Sequence, residues 1–253
     1  MTAYMDSLFG LAGKRVVITG ASGQLGRALV EGFVAAGSYV VALDMKVGDA
    51  PALPHTEVGV CDIRKEADIE AAFRRAGRVD ILINNAGVSC FEPFEDRPEA
   101  SFDWVMDVNL KGTFHCIRQF VKVAKEGGRG GAIVNIGSIY GVISPDERIY
   151  TDCTRRNSEV YGATKAGVIQ MTRYFATHLA KHGIRVNCVS PGGIRNPFTP
   201  QGDDFQKNYG ARCPMGRMAE LKEMLGAVMY FASDAASYTT GQNMVVDGGM
   251  TAW

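Results

Sequence analysis

A glycine-rich turn between a short apolar strand and an amphipathic helix is the feature that most restricts the fold of this chain. The strand is predicted at residues 15–19 and the helix at 24–36, and the turn between them reads Thr19-Gly20-Ala21-Ser22-Gly23-Gln24-Leu25-Gly26. Glycines let a backbone turn tightly and approach a pyrophosphate, and the free N–H groups at a helix start attract its charge. The turn therefore predicts a dinucleotide-binding strand–turn–helix unit.

The rest of the chain alternates short strands with longer helical patterns in the same way. Further strands are predicted at 39–44, 58–60, 80–84, 132–136, 185–189 and 243–246, and further helices at 63–76, 99–125, 159–182 and 217–232. Such alternation builds a parallel sheet that is covered by helices on both faces. We predict an α/β fold, a doubly wound Rossmann sheet of about seven strands, in a single domain over residues 1–253.

Composition argues against several classes of partner. The chain holds 27 basic and 27 acidic residues, so no basic excess points to nucleic acid or to an anionic membrane. No apolar run reaches the roughly 18 residues of a membrane span, and the first residues lack a secretory signal pattern. The six cysteines are scattered without a Cys-x-x-Cys pair, so we expect reduced thiols, no metal site and a cytoplasmic protein.

Acidic residues follow the second and third predicted strands. Asp44 ends the second strand, where a carboxylate can bind an adenosine ribose and repel a 2′-phosphate, so NAD is expected rather than NADP. Asp62, beside Ile63, follows the third strand. It can hydrogen-bond an adenine amino group or cap the next helix, and the sequence leaves both alternatives open.

Tyr161 and Lys165 lie four residues apart in the predicted helix 159–182, and Ser138 lies at an earlier strand end. Residues four apart share one face of a helix, so the Lys165 ammonium can lie beside the Tyr161 phenol. A fixed cation favours the phenolate form of a tyrosine. The pair therefore predicts a general acid/base for the interconversion of an alcohol and a ketone.

Together these features make the chain resemble the compact, single-domain members of the short-chain dehydrogenase/reductase family. The resemblance covers residues 13–249, nearly the whole length. Besides the glycine turn and the Tyr161/Lys165 pair, its motifs are Asn84-Asn85-Ala86-Gly87, Asn109 within Asp107-Val108-Asn109-Leu110, Ser138, Pro191-Gly192, Thr240-Gly241-Gln242 and Asp247-Gly248-Gly249.

The resemblance implies a role for each motif residue. Ser138 would polarise the substrate oxygen and Tyr161 would exchange the proton. Lys165 would hold the nicotinamide ribose, and Asn109 would anchor a water that links Lys165 to solvent. The implied cofactor contacts are Gly20, Ser22, Gly23, Gln24, Leu25, Gly26, Asp44, Asp62, Ile63, Asn85, Ala86, Gly87, Tyr161, Lys165, Pro191, Gly192 and Ile194. Relatives also imply a homo-oligomer, either a tetramer or a dimer.

Two positions depart from the motifs of the compact members. Gln24 occupies the place of the middle glycine, which gives a turn like that of longer members acting on nucleotide sugars. Asn196 stands where the family has a threonine that contacts the carboxamide. The departures leave the NAD prediction in place and make the conformation of the turn an open question.

The segment between Ser138 and Tyr161 is longer than is usual for the family, because the two residues lie 23 positions apart. The extra residues fall within a loop at about 144–158, which holds Arg155 and Arg156. A substrate lid is predicted at about 194–217, and it begins with Arg195. We hypothesise that these arginines bind an anionic substrate group, and the alternative is a solvated loop of mixed charge.

Residues 138–141, which include Tyr140 as a candidate substrate contact, and residues 190–194 loosely resemble oxidoreductases of bacterial surface-sugar pathways. The prediction is an NAD-dependent oxidoreductase that acts on a secondary alcohol or ketone of a sugar or another polar small molecule. One alternative is an NADPH-dependent ketoacyl reductase, which Asp44 argues against. The other is a non-catalytic dinucleotide sensor, which the presence of Asn109, Ser138, Tyr161 and Lys165 argues against.

Overall fold

A parallel sheet of seven strands forms the centre of the molecule, in the order β3-β2-β1-β4-β5-β6-β7. The computed structural model describes residues 2–48, 51, 53–151, 156–197 and 201–253. The strands are β1 Arg15–Thr19, β2 Tyr39–Asp44, β3 Thr56–Val60, β4 Ile81–Asn84, β5 Gly131–Ile136, β6 Ile184–Pro191 and β7 Asn243–Val246. The strand order reverses between β1 and β4, and such a switch point opens a crevice at the carboxyl ends of the strands.

Helices pack against both faces of this sheet. Those in the described residues are α1 Ala3–Phe9, α2 Gln24–Ala35, α3 Glu66–Ala76, α4 Glu99–Met106, α5 Thr113–Glu126, α6 Glu159–Leu179, α7 Asp203–Arg212 and α8 Lys222–Ala232. None of the described helices is long and apolar enough to cross a membrane.

Two separate cores lie on the two faces because successive strand residues point to opposite sides. Val16 and Ile18 of β1 belong to one core, which also takes in apolar residues of α2 and α8. Val17 belongs to the other core, with residues of α3, α5 and α6. Strands that are buried on both faces have nearly continuous apolar sequences, and the buried strands of this chain follow that pattern.

The predicted α/β sheet is confirmed, and several bounds differ from the prediction. The strands at 15–19, 39–44 and 243–246 have the predicted ends. The single helix predicted at 99–125 is divided by a π-helical turn at Asp107–Gly112. The lid segment, predicted to be irregular, contains α7, and α8 begins five residues later than predicted.

Candidate active site

A cleft with a volume of about 570 Å³ lies at the carboxyl ends of the strands, on both sides of β1. Apart from Ser22, every residue that the sequence assigned to the cofactor lines this cleft. Ser22 instead donates its hydroxyl to the Lys46 carbonyl at 2.6 Å. The aromatic side chains of Phe91 and Trp104 also line the cleft. Sequence reasoning missed them because they belong to no motif.

The glycine turn from β1 to α2 is too tight for side chains at two positions. Gly20 has a φ of +66°, and a Cβ there would lie 2.6 Å from the Cα of Ala86. A Cβ on Gly26 would lie 2.0 Å from the carbonyl oxygen of Gly20. The turn is therefore closed on itself while the α2 N-terminus faces the cleft, an arrangement that suits a pyrophosphate.

Gln24, which replaces the middle glycine of the motif, is the first residue of α2 and lines the cleft. Its Nε2 donates to the backbone carbonyl of Arg195 at 3.3 Å. The substitution therefore leaves the helix start intact and adds a hydrogen bond between the turn and the beginning of the lid segment.

The two acidic residues of the cleft have different surroundings. The Asp44 carboxylate accepts backbone hydrogen bonds from Ser22 at 3.0 Å and from Lys46 at 3.2 Å. Asp62 is held by Arg64, whose Nη2 lies 2.7 Å from its Oδ2. These side-chain hydrogen bonds from Arg64 lower the pKa of Asp62. Both carboxyl groups thus accept backbone hydrogen bonds, since Asp62 also accepts the backbone N–H of Arg64 at 3.1 Å.

Thr19 and Asn85 fix the loop that follows β4 against the glycine turn. The Thr19 hydroxyl accepts the backbone N–H groups of Asn85 and Ala86 at 3.2 and 3.1 Å. Asn85 Nδ2 donates to the carbonyls of Thr19 and Gly20 at 3.0 and 2.9 Å. These four bonds join the two halves of the sheet at the switch point and give the cleft a rigid floor.

Asn109 lies in the π-helical turn and is buried behind the cleft, with 1% of its surface exposed. Its Oδ1 accepts the Val88 N–H at 2.8 Å, and its Nδ2 donates to the Val88 carbonyl at 2.9 Å. Nδ2 also donates to the Thr164 hydroxyl at 3.1 Å. The amide thereby ties the loop after β4 to α6, beside Lys165.

Lys165 is buried within α6, and its Nζ donates to the Ile136 carbonyl at 2.8 Å. The same Nζ lies 5.6 Å from the centre of the Tyr161 ring, as the four-residue spacing predicts. Ser138 follows β5, and its Oγ accepts the Tyr140 N–H at 3.1 Å. Ser138, Tyr161 and Lys165 all line the cleft, so the structure brings the predicted serine, tyrosine and lysine together.

The start of α6 is held by a cap and an ion pair, which together place Tyr161. The Ser158 hydroxyl accepts the Tyr161 N–H at 3.3 Å, as N-cap serines do. Glu159 in the first turn receives two hydrogen bonds from Arg97, at 2.8 and 2.9 Å. The hydrogen bonds from Arg97 lower the pKa of Glu159, so the pair is ionised.

A second cavity of about 230 Å³ adjoins the cleft at Ser138 and Tyr161. This is smaller than the 300–1,000 Å³ of typical drug-sized sites, so it suits a small molecule. We call it the substrate pocket. Its lining residues are Ser138, Ile139, Tyr140, Tyr150, Asn157, Tyr161, Gly192, Gly193, Ile194, Gln201, Gly202, Phe205, Tyr209 and Met218.

Tyr140 and Tyr209 line the substrate pocket as neutral hydroxyl groups. Burial raises the pKa of Tyr140 far above its ordinary value and that of Tyr209 to about 12. The Tyr209 hydroxyl accepts the backbone N–H of Gly193, which lies beside the cleft. Of the two, the sequence indicated only Tyr140, because α7, which carries Tyr209, was not predicted.

Of the three arginines that were predicted to contact substrate, the two that the structure describes lie outside the substrate pocket. Arg155 falls outside the described residues. Arg156 packs over the Tyr150 ring at 5.8 Å and lines an outer groove instead of the substrate pocket. Arg195 has its Nε 3.7 Å from Glu220 and does not line the pocket.

The arrangement can exchange a proton with an alcohol or ketone oxygen held between Ser138 and Tyr161, next to a cleft sized for a dinucleotide. Within the described part of the chain, no group of three or more His, Cys, Asp or Glu side chains is placed to hold a metal ion. Where the cleft and the pocket meet, the polar side chains are those of Ser138, Asn157 and Tyr161, and Lys165 lines the cleft beside them.

Comparisons with known proteins extend over the whole chain. A family model described as enoyl-(acyl carrier protein) reductase matches residues 20–251. The chain is 34% identical to an NADH-dependent L-xylulose reductase of Ambrosiozyma monospora, with 100% of both chains covered. It is 34% identical to an NAD-dependent glycerol dehydrogenase of Listeria innocua, with 97% of both covered.

A solved short-chain dehydrogenase from Leptospira borgpetersenii with bound NAD+ matches with a TM-score of 0.90 and 41% identity, covering 99% of this chain and 96% of that one. The narrower resemblance to surface-sugar enzymes stays a prediction. The broader resemblance is confirmed, since the family model, the curated relatives and the solved structure each match nearly the whole chain. The chain is a member of the short-chain dehydrogenase/reductase family.

Proposed function

We propose that this protein is an NAD-dependent oxidoreductase that interconverts a secondary alcohol and a ketone on a small, neutral polyol or sugar. The observation that carries the proposal is that Ser138 and Tyr161 line both the dinucleotide-sized cleft and the substrate pocket. A group bound between them would have its oxygen at the phenol and its carbon facing the cleft. When bound, NAD would supply hydride exchange at that carbon.

Four side chains would carry the proton chemistry. Tyr161 would give a proton to the ketone oxygen or take it from the alcohol, and Ser138 would hold that oxygen by a hydrogen bond. Lys165, anchored on the Ile136 carbonyl, would hold positive charge beside the phenol. Asn109 would act through others, by keeping the loop after β4 and α6 in place.

The geometry of the cleft supports the binding of a dinucleotide, and Asp44 favours NAD over NADP. The turn is closed at Gly20 and Gly26, and among the described residues no side chain caps the start of α2, so its first backbone N–H groups can bind a pyrophosphate. Asp44 lines the cleft at the end of β2, where its charge would accept ribose hydroxyls and repel a 2′-phosphate. The names of the L-xylulose reductase and the glycerol dehydrogenase specify NADH and NAD, in keeping with this assignment.

A neutral substrate is favoured by the chemistry of the pocket wall. Among the described residues that line the pocket there is no lysine, arginine, aspartate or glutamate. Hydroxyl and amide groups are present instead, on tyrosines and on Asn157 and Gln201. Such groups can hydrogen-bond sugar hydroxyls, whereas a phosphate or carboxylate is usually bound by an arginine or lysine.

The experiment follows nicotinamide absorbance with xylitol, D-arabinitol, glycerol, ribulose 5-phosphate and acetoacetyl-coenzyme A, each with NAD(H) and NADP(H). We expect NAD-linked turnover with neutral polyols or their ketoses. Turnover confined to the phosphorylated ketose would contradict the neutral-substrate assignment. Turnover confined to the thioester with NADPH would establish the ketoacyl reductase instead.

We further propose a homo-oligomer, a tetramer or a dimer, in the cytoplasm. Large apolar side chains are exposed on neighbouring helices, among them Phe102 of α4, Phe114 of α5 and Tyr174 of α6. Five described cysteines are free and buried, which suits a reducing compartment. We also retain residues 1–253 as one domain, with the lid at about 194–217 and the inserted loop at about 144–158. Light scattering of the purified protein would test the assembly.

A further inference from the structure

Asn157 lies immediately before the N-cap of α6, one helical turn ahead of Tyr161. It is half-buried and lines both the substrate pocket and the cofactor cleft. It also lines the outer groove, so it stands where the three spaces meet. No family motif includes this residue, and it lies within the inserted loop.

Most other polar side chains of the pocket already have partners within the protein. Gln201 donates through Nε2 to the Ile194 carbonyl at 3.1 Å, and its Oε1 accepts the Asn196 N–H at 3.2 Å. The Tyr209 hydroxyl accepts from Gly193. Both side chains are therefore used to shape the wall of the pocket.

Asn157 keeps one end of its amide free. Its Oδ1 accepts a hydrogen bond from the Ser89 hydroxyl at 3.2 Å. Its Nδ2 has no hydrogen-bond partner among the described residues. Ser89 thus holds the amide in one orientation, and two N–H donors remain for a ligand.

We propose that Asn157 is a specificity-determining residue that donates a hydrogen bond to a substrate hydroxyl on the carbon next to the reacting carbon. This inference rests on the proposed function. Ser138 and Tyr161 would hold the reacting oxygen, and Asn157 shares their wall one turn away. An amide N–H can donate a hydrogen bond to a hydroxyl oxygen. The N–H is left without a partner when the substrate lacks that hydroxyl.

The test compares ketone pairs that differ by one hydroxyl beside the carbonyl. These are D-xylulose with 1-deoxy-D-xylulose, and dihydroxyacetone with hydroxyacetone, each reduced with NADH. For the wild type we expect a higher kcat/KM with the hydroxylated member of each pair. In Asn157→Ala, and in Asn157→Leu, which keeps the volume but removes hydrogen bonding, we expect that preference to fall about tenfold.

A matched control is Gln170→Ala, because Gln170 is an exposed amide of α6 that bonds Arg173 and lines neither the substrate pocket nor the cleft. Its preference for the hydroxylated member of each ketone pair should equal that of the wild type. Equal loss of kcat/KM for both members of each pair in the Asn157 variants would indicate a structural role and overturn the inference. An unchanged preference for the hydroxylated ketones in the Asn157 variants would overturn it as well. Absence of NADH oxidation by the wild type with all four ketones, together with absence of NAD reduction with the polyols, would overturn the proposed function and this inference with it.

Discussion

Tyr161 is the residue on which the proposed chemistry depends most directly. Its phenol lies beside Lys165 and opens to both the cleft and the pocket. We expect Tyr161→Phe to lower kcat by about 10²–10⁴-fold, the usual worth of a general acid/base, and to keep NADH binding. Steady-state kinetics and a fluorescence titration with NADH would measure the two effects.

The matched control is Tyr174→Phe, which removes an exposed phenol on the same helix. Its kcat should equal that of the wild type. Normal turnover by Tyr161→Phe would show that another group moves the proton.

Asp44 sets the expected preference between the two nicotinamide cofactors. Like charges at contact distance near a protein surface repel by an amount on the order of 1–4 kcal/mol. We therefore expect Asp44→Ala to raise the ratio of kcat/KM for NADP to that for NAD by tenfold or more. Activity with NAD should also fall, since two backbone N–H groups lose their acceptor.

Asp6→Asn on α1 is the control, because it removes an exposed carboxylate remote from the cleft. Its cofactor ratio should match that of the wild type. An unchanged ratio in Asp44→Ala would mean that other groups determine the choice.

At the residue scale, the sequence predicted the side chains that belong to motifs and missed those that do not. Tyr161 and Lys165 were predictable because a fixed helical spacing brings them together. Asn157 and Tyr209 reach the same pocket from separate segments, and their positions depend on how those segments pack. Asp62 was left open between two roles, and it lines the cleft while accepting from Arg64.

Among the elements, the turn from β1 to α2 has the least room for change. We expect Gly26→Ala to weaken NADH binding at least tenfold and to lower the melting temperature. The added methyl carbon would lie 2.0 Å from the Gly20 carbonyl oxygen, so the backbone must move. Gly48→Ala is the control, because a Cβ there meets nothing within 4 Å. Wild-type affinity in Gly26→Ala would show that the turn is not part of the cofactor site.

The inserted loop and α7 are joined by several contacts and form the outer wall of the pocket. Asp146 binds both Arg148 of the loop and Arg212 of α7. Asn208 donates to the Thr151 hydroxyl at 2.9 Å. The insertion that lengthens the Ser138–Tyr161 spacing thus contacts α7, which lies in the segment that was predicted as a lid.

Loss of these contacts between the inserted loop and α7 should weaken substrate binding more than cofactor binding. We expect Asp146→Asn to raise KM for the ketose about threefold to tenfold, because two arginines lose their partner while Asp146 is only 19% exposed. The dissociation constant for NADH should stay at its wild-type value. Asp204→Asn, an exposed change at the start of α7, is the control. An unchanged KM in Asp146→Asn would show that the contacts between the inserted loop and α7 do not shape the pocket.

Element prediction succeeded where one strong pattern decides the structure and failed where tertiary contacts do. Buried strands carry continuous apolar runs, so β1 and β2 were predicted with the observed ends. Helix α7 has only Tyr209 buried, and its polar sequence gave no helical pattern. The π-helical turn was missed because the helical pattern continues through it, while the Asn109 amide bonds the neighbouring loop.

At the scale of the whole molecule, burial protects three thiols, since Cys61 and Cys116 lie in the core that includes α3, α5 and α6, and Cys188 lies in a smaller apolar cluster. Burial raises the pKa of Cys61 to about 12, that of Cys188 to about 11 and that of Cys116 further still. Thiolate is the reactive form, so we expect iodoacetamide at pH 8 to modify these three at least about 100-fold more slowly in the native than in the denatured protein. Peptide mass spectrometry would measure the rates. Rapid native labelling would show that the cores open readily.

The substrate pocket has two walls of different origin. Ser138, Tyr161 and Gly192 form one wall, which also faces the cofactor cleft, whereas Tyr150, Phe205 and Tyr209 come from the inserted loop and α7. Evolution or an engineer can therefore exchange the outer wall and move the enzyme to a new alcohol while hydride transfer stays intact. A change in the inner wall has no such freedom, because it alters both ligands at once.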